Sequence, residues 1–262
     1  MGGLLGWDKV QRVASLASDL SDDRMRLRRT RGVRGVLFAK FFSVIVGLLR
    51  RSLVGQSVTR PMDLFGNDPA LNLLPCDGVV NYHGPILSPV ETRRYYEHLL
   101  HEIPWKHDEA VIFGKHVITA RKVAWYGDSN FSYTYSGTTK QALVWTSELA
   151  ALKAVVENFT ATQFNSCLLN LYQDGNQGMA WHSDDEKSLG RNSTIASVSL
   201  GAEREFRLKH KRLDEKISVL LESGSLLVMK GATQSHWLHS IPKSKKITTP
   251  RINLTFRTMV VD

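Results

Sequence analysis

The stretch Arg251-Ile252-Asn253-Leu254-Thr255-Phe256-Arg257 alternates without a break between polar and apolar side chains. A period of two predicts a β-strand with two unlike faces. Ile252, Leu254 and Phe256 share one face; Arg251, Asn253, Thr255 and Arg257 share the other. Two guanidinium groups aimed into a protein are costly unless they meet an anion. A dicarboxylate suits them, because arginine grips a carboxylate with a two-pronged fork. The other reading of the same stretch is an edge strand whose arginines are solvated.

Working outward, Cys167 to Tyr172, Ile195 to Leu200, Ile217 to Leu221 and Leu226 to Met229 are further short β-like runs. Turns rich in Gly, Asn, Asp and Lys separate them. Two helices are expected before them. Ser88-Pro89-Val90-Glu91 reads as a capping box with proline at the first helical position. Tyr96, Leu99, Leu100 and Ile103 then form an apolar face running to about Pro104. A second helix starts near Thr146 and carries Leu149, Leu152, Val155, Val156 and Phe159 at helical spacing. Many short strands after a few helices predict a mainly β chain of α+β type, with helices flanking a β-sandwich or jelly-roll core.

Bulk numbers narrow the class. A chain of 262 residues that is 42% hydrophobic and 23% charged is neither collagen, nor coiled coil, nor wholesale disordered. The two cysteines, Cys76 and Cys167, form no CxxC pair. This argues against a disulfide framework or zinc-thiolate site and for a reducing compartment, such as a bacterial-type cytoplasm. The net charge of +9 is uneven: residues 1–61 hold twelve Lys/Arg against four Asp/Glu, a balance of +8. The remaining chain is close to neutral, so any case for nucleic acid must rest on local clusters.

Residues 1–61 read differently from the rest. Arg24, Arg26, Arg28, Arg29, Arg31 and Arg34 form a basic run, and Val36 to Leu49 is apolar apart from Lys40 and small residues. A membrane span needs roughly 20 apolar residues, and this segment is shorter. Arg50 and Arg51 stand where a signal peptide would carry small residues. The first reading is a non-conforming extension from an upstream start, with Met62-Asp63-Leu64-Phe65 opening the domain that spans 62–262. The second is a transit-peptide or membrane-surface role.

Trp181-His182-Ser183-Asp184 is the strongest local signal. Side chains separated by one intervening residue on a strand point to the same face, so His182 and Asp184 could grip one metal. Two histidines and one carboxylate leave three octahedral positions open, which suits Fe(II) that must also bind a co-substrate and oxygen. The pair alone also fits an ordinary turn. The second histidine comes from His210, His236 or His239, and pattern alone does not choose.

Together, Asn170-x-Tyr172, His182-x-Asp184, His239 and Arg251-x-Asn253-x-x-x-Arg257 resemble the AlkB family of alkylation-repair dioxygenases, from about Leu74 to Met259. The resemblance implies a double-stranded β-helix core and a reaction using Fe(II), 2-oxoglutarate and O2. It selects His239 as the second histidine ligand, with His236 as neighbour. It also implies that Asn170, Tyr172 and Arg251 contact 2-oxoglutarate, with Asn253 nearby and Arg257 at or beside the far carboxylate. The reaction implied is oxidative demethylation of bases such as 1-methyladenine and 3-methylcytosine in DNA, with release of formaldehyde, succinate and CO2.

The resemblance is closest to the branch that works on duplex DNA. Ile112-Phe113-Gly114-Lys115 matches that branch's hydrophobic finger, an apolar wedge for the gap a flipped base leaves. The other reading makes Phe113 a hairpin core residue. Arg121, Trp125, Tyr133, Tyr135 and Ser136 fall where the family has its substrate lid, although packing alone also accounts for the aromatics. Glu186 resembles the residue that reads the damaged base. Lys243, Lys245 and Lys246 match a phosphate-holding loop, or are simply solvated. Ser183 departs from the family, which often carries Arg or Gln there. No stable protein partner is implied. The rival readings are a dioxygenase of the same fold acting on RNA or protein, a non-catalytic nucleic-acid-binding module, and a zinc hydrolase that leaves the two-arginine strand unexplained. Mass spectrometry of the native protein checks the extension: the upstream-start reading expects no abundant peptides from before Met62, and their presence overturns it.

Overall fold

Alternating side chains sort this chain into one large sheet with a different environment on each face. The computed structural model describes residues 68–260 apart from 113–114, 129–130 and 136–137, and the backbone alone at 110–112, 115–117, 132–135 and 138–140. Elements are numbered along the described chain. The large sheet runs in the order β1 (Val79–Pro85), β12 (Ser225–Lys230), β9 (Ile195–Gly201), β14 (Arg251–Arg257), β7 (Ser166–Tyr172), β3 (Lys115–Gly127) and β2 (Lys106–Ile112). The two-residue β6 (Leu143–Val144) pairs in parallel with β3. A smaller sheet runs β11 (Lys216–Leu221), β10 (Arg204–His210), β13 (Trp237–Ile241) and β8 (Met179–His182). A separate hairpin joins β4 (Ser132–Tyr135) to β5 (Thr138–Gln141).

Two helices cover one face of the large sheet. The first, α1 (Pro89–Glu102), starts at Ser88, whose side chain accepts from the Glu91 N–H while Glu91 returns the bond. The second, α2 (Ser147–Thr160), is capped by Thr146. Tyr95 and Leu99 of α1 and Leu149, Leu152 and Val156 of α2 pack on Leu169, Leu171, Val198, Ile252, Leu254 and Phe256. Phe159 departs from the expected helix face: it is 50% exposed, with its ring edge-on to His83. Tyr95 takes the buried place on α1, and the neighbouring Tyr96 is half-buried.

The opposite face of the large sheet meets the small sheet. Val80, Tyr82, Ile195, Leu227 and Met229 from the first pack on Phe206, Leu208, Leu221, Trp237 and Ile241 from the second. Strand β12 shows the division: Leu226 and Val228 face the helices, Leu227 and Met229 the other sheet. This is a jelly-roll sandwich with helices outside one sheet. Strand β14 sits between β9 and β7, in register with both. It is therefore central, and the solvated-edge reading of its arginines does not hold. No helix among the described residues is long and apolar enough to cross a membrane.

Strands β10 and β13 were not legible as strands, because histidine, arginine and lysine interrupt them. In β10 the burial alternates regularly, with Arg204, Phe206, Leu208 and His210 inside. Leu254 is fully buried against the helices. Leu254→Ala should lower stability by about 2–5 kcal/mol, read as a lower urea midpoint with an unchanged m-value; a loss below about 1 kcal/mol would mean that this face is not the packed one.

Candidate metal centre and co-substrate pocket

His182 closes β8 and lies directly across from His239 in β13. Their ring centroids are 4.2 Å apart. Asp184 lies beyond the end of the strand, so the two residues are not neighbours on one strand face as their spacing suggests. The chain leaves β8 at Ser183 and returns the carboxylate from a loop. That loop is held by Gln234, whose Oε1 accepts the Asp184 N–H at 2.9 Å. Gln234 belongs to the short helix α3 (Thr233–His236). Asp184 Oδ1 lies 3.7 Å from His182 Nε2, and its Oδ2 accepts from Arg257 Nη2 at 2.6 Å. One ligand atom from each of His182, Asp184 and His239 lies within 4.8 Å of the others, near enough to hold one cation.

Hydrogen bonding decides whether these histidines can serve. His182 Nδ1 is 2.9 Å from the Ala180 carbonyl oxygen. A carbonyl only accepts, so Nδ1 carries the proton and Nε2 keeps its lone pair for a metal. A second trio, Cys76, Asp77 and His210, is equally tight. There the logic reverses. The N–H groups of Arg212 and Leu213 donate to His210 Nδ1 at 3.2 and 2.9 Å. Nε2 must then carry the proton, 3.2 Å from Asp77 Oδ2, and has no lone pair to offer. Burial, then Asp77, raises the Cys76 thiol, away from the thiolate that a metal needs. His236 ends α3 with its ring stacked on that of His210, outside the first trio.

Charge in the first trio fits a cation. Burial pushes the Asp184 carboxyl up, but Arg257, His239 and His182 outweigh it and hold the group below its ordinary range. Burial lowers His239 to about 4, against the pull of Asp184. It is therefore neutral at pH 7, the form that binds metal.

The polar face of β14 leads away from this centre. Arg251 is 1% exposed. Its Nη2 donates to Ser199 Oγ at 2.9 Å and Asn253 Oδ1 at 2.7 Å. Its Nε and Nη1 have no partner. Burial lowers this guanidinium to about 10, so it is still charged at pH 7. A buried cation with two unmet donors is what an absent carboxylate would leave. Tyr172 lies beneath it, 5.5 Å from ring centroid to guanidinium carbon, and Arg204 approaches the same ring at 5.8 Å. Asn253 accepts from Ser197 and Arg251 and donates to Thr255. It braces Arg251. Arg257 pairs with Asp184 at the metal end, and its Nε is unpartnered. The His–Asp–His trio, with Asp184 and His239 buried and His182 partly open, and the unmet Arg251 donors thus fit a metal with a dicarboxylate co-substrate.

Four contributors, Gln234, Ser197, Ser199 and Arg204, escaped the sequence reading. Gln234 carried no motif. Ser197 and Ser199 alternate with Ala196, Val198 and Leu200, a polar face that could have been paired with that of β14. Arg204, from a basic stretch without an evident role, is 1% exposed and donates to the carbonyls of Asp174, Gln177 and Pro242. It ties the loop after β7 to the loop after β13. Gly175 completes that junction, donating to the Ile247 carbonyl and accepting from Ser244 N–H; a Cβ there would overlap the Ser244 carbonyl oxygen.

The remaining substrate candidates scatter. Trp125 lies on the pocket side of β3, its Nε1 donating to Ser166 Oγ at 2.7 Å. Glu186 is half-buried just past Asp184, and Asp185 is exposed near Lys211. Lys243, Lys245 and Lys246 are exposed on the loop docked by Gly175. Tyr133 and Tyr135 lie in β4, described by backbone alone. Phe113, Gly114 and Ser136 lie outside the described residues. Arg121, expected at DNA, is turned inward on Asp108 and Asn170 instead.

Comparison with known proteins follows the same lines. Residues 78–257 match the family model of the 2OG-Fe(II) oxygenase superfamily. The chain is 40% identical over 182 residues to alpha-ketoglutarate-dependent dioxygenase alkB homolog 3 of Bos taurus, covering 66% of this chain and 63% of that one. It is 40% identical over 158 residues to DNA oxidative demethylase ALKBH2 of Homo sapiens, covering 57% and 60%. It therefore spans about six-tenths of the length of these curated relatives. The solved structure of OsALKBH1 matches with a TM-score of 0.50 at 16% identity, over 71% of this chain and 98% of that one, a likeness of fold.

Anaerobic titration with Fe(II), or with Mn(II) as an air-stable substitute, should show a site that His182→Ala or Asp184→Ala abolishes and His210→Gln leaves. Loss of the site in His210→Gln alone would move the metal to the Cys76 trio.

Proposed function

The chain belongs to the 2OG-Fe(II) oxygenase superfamily, and on that premise we propose that it is an oxidative demethylase of N-alkylated bases in DNA, of the 1-methyladenine and 3-methylcytosine type. The observation that carries the dioxygenase reading is the buried Arg251 guanidinium with two unmet donors, on the same strand face as an arginine held to a metal-site carboxylate. DNA as substrate is supported by similarity to relatives named DNA oxidative demethylases and by the exposed lysines of the loop after β13.

In this reading His182, Asp184 and His239 hold Fe(II). Arg251, with Tyr172 beneath it and Asn253 bracing it, takes the far carboxylate of 2-oxoglutarate, and Asn170 donates to the same molecule. Arg257 keeps Asp184 ionised and oriented. When bound, Fe(II), 2-oxoglutarate and O2 supply the oxidation: one oxygen atom goes to the N-methyl carbon, the other leaves in succinate, and CO2 is lost. The hydroxymethyl group then departs as formaldehyde and the base is restored.

The chain's own part is placement. Glu186 offers a carboxylate to a cationic methylated base, a charge match that an unmodified base lacks. Trp125, Tyr133, Tyr135 and Ser136 wall the base, Lys243, Lys245 and Lys246 meet phosphates, and Phe113 with Gly114 forms the wedge. Residues 62–262 make up the dioxygenase domain, and 1–61 stand apart from the reaction. The free thiols of Cys76 and Cys167 suit a reducing intracellular compartment.

Methylated duplex DNA, single-stranded DNA and RNA oligonucleotides assayed side by side test the proposal. Formaldehyde and succinate should appear in step with repaired base on DNA, and vanish in a His182→Ala/Asp184→Ala double variant. Turnover on RNA alone would move the substrate to RNA. Succinate without demethylation of any of the three would end the nucleic-acid reading.

A further inference from the structure

Arg121 makes two contacts that a DNA-binding side chain would not need. Its Nη2 donates to Asp108 Oδ2 at 2.7 Å, and its Nε donates to Asn170 Oδ1 at 3.0 Å. The arginine and aspartate side chains are 15% and 17% exposed, and Asn170 is 5% exposed. The backbone is shaped for this. Between the pairs His107↔Lys122 and Glu109↔Ile118, the single residue Asp108 stands opposite Thr119, Ala120 and Arg121. A bulge of this kind re-aims side chains out of the regular alternation. Thr119 holds it, its Oγ1 donating to the Arg121 carbonyl and its own carbonyl facing His107 Nδ1.

The chemistry of the contact removes an ambiguity. An amide side chain can present either its oxygen or its NH2 group. A guanidinium has donors and no acceptor, so the Asn170 oxygen must face Arg121. The Asn170 NH2 is then turned the other way. Among the described residues no acceptor takes it. Asn170 stands opposite Asn253 in the β7–β14 pair, one residue from the Arg251↔Tyr172 pair. Its free donor is thus on the strand pair that carries the unmet donors of Arg251.

We propose that Arg121 is a positioning residue for the co-substrate: held by Asp108, it locks the Asn170 amide with its NH2 toward a carboxylate or keto oxygen of 2-oxoglutarate. Without Arg121 the amide is free to turn its oxygen toward that anion, which replaces an attraction by a repulsion. The same guanidinium ties the base of the β2–β3 hairpin to the co-substrate pocket. The inference rests on the reading of Asn170 as a co-substrate contact.

The test is direct binding of 2-oxoglutarate to the full-length Mn(II)-loaded protein by calorimetry, with methylated duplex DNA binding measured in parallel by fluorescence anisotropy. Arg121→Met should raise the Kd for 2-oxoglutarate by about tenfold, the value of one charge-assisted hydrogen bond. Affinity for Mn(II) and for DNA should stay within about twofold. Asp108→Asn, which loosens Arg121 without removing it, should show a smaller loss of the same kind. Because Arg121 acts through Asn170, Arg121→Met should add no more than about twofold in an Asn170→Ala background. Full additivity of the two substitutions, or a loss confined to DNA affinity, overturns the proposal. An unchanged Kd in Asn170→Ala would instead overturn the co-substrate reading of Asn170 on which it rests.

Discussion

The ion pair between Arg257 and Asp184 joins the two sheets at the point where a cation would sit. An unpaired buried carboxylate costs on the order of several kcal/mol. Arg257 offsets that cost from the last residue of β14, a strand of the large sheet, while Asp184 follows a strand of the small one. The contact therefore demands that the sheets pack in one register. Within the small sheet, the pairing of β13 with β8 sets His239 directly across from His182. The geometry of the trio follows from strand pairing within the small sheet, which sets the two histidines, and from the contact between sheets, which holds Asp184.

Strand β14 can meet this demand because each of its faces is committed. Ile252, Leu254 and Phe256 are fully buried against the helices, which leaves the strand no freedom to slip by a residue. Arg251, Asn253, Thr255 and Arg257 must then point between the sheets. There Ser199 and Asn253 accept from Arg251, with Ser197 holding Asn253, while Arg251 Nε and Nη1 keep no partner. A fully satisfied Arg251 would be a structural cation. A partly satisfied one has donors left to offer a ligand.

The same accounting separates the two trios of candidate ligands. Both are compact, and distance alone does not rank them. The proton on each histidine does. The Ala180 carbonyl places it on His182 Nδ1, whereas the Arg212 and Leu213 N–H groups place it on His210 Nε2. His210 thereby closes the turn between β10 and β11, and its nearness to Cys76 and Asp77 is a matter of packing.

Much of this was legible in the residues themselves. The alternation from Arg251 to Arg257 and the Ser88–Glu91 cap are local properties, and local spacing is enough to assign a strand and a helix start. The resemblance carried by Asn170, His182, Asp184, His239 and Arg251 pointed to the family whose model the chain matches. What sequence could not settle was partnership. It placed His182 and Asp184 on one strand, where the chain turns between them. It sent Arg121 to DNA, where a bulge opposite Asp108 turns it inward. It passed over Gln234, Ser199 and Arg204, which bond to groups 50, 52 and as far as 38 residues away. The order of side chains determines which face each occupies, because that follows from backbone geometry. Which donor meets which acceptor was decided only when the sheets closed, because a hydrogen bond depends on the position of both partners.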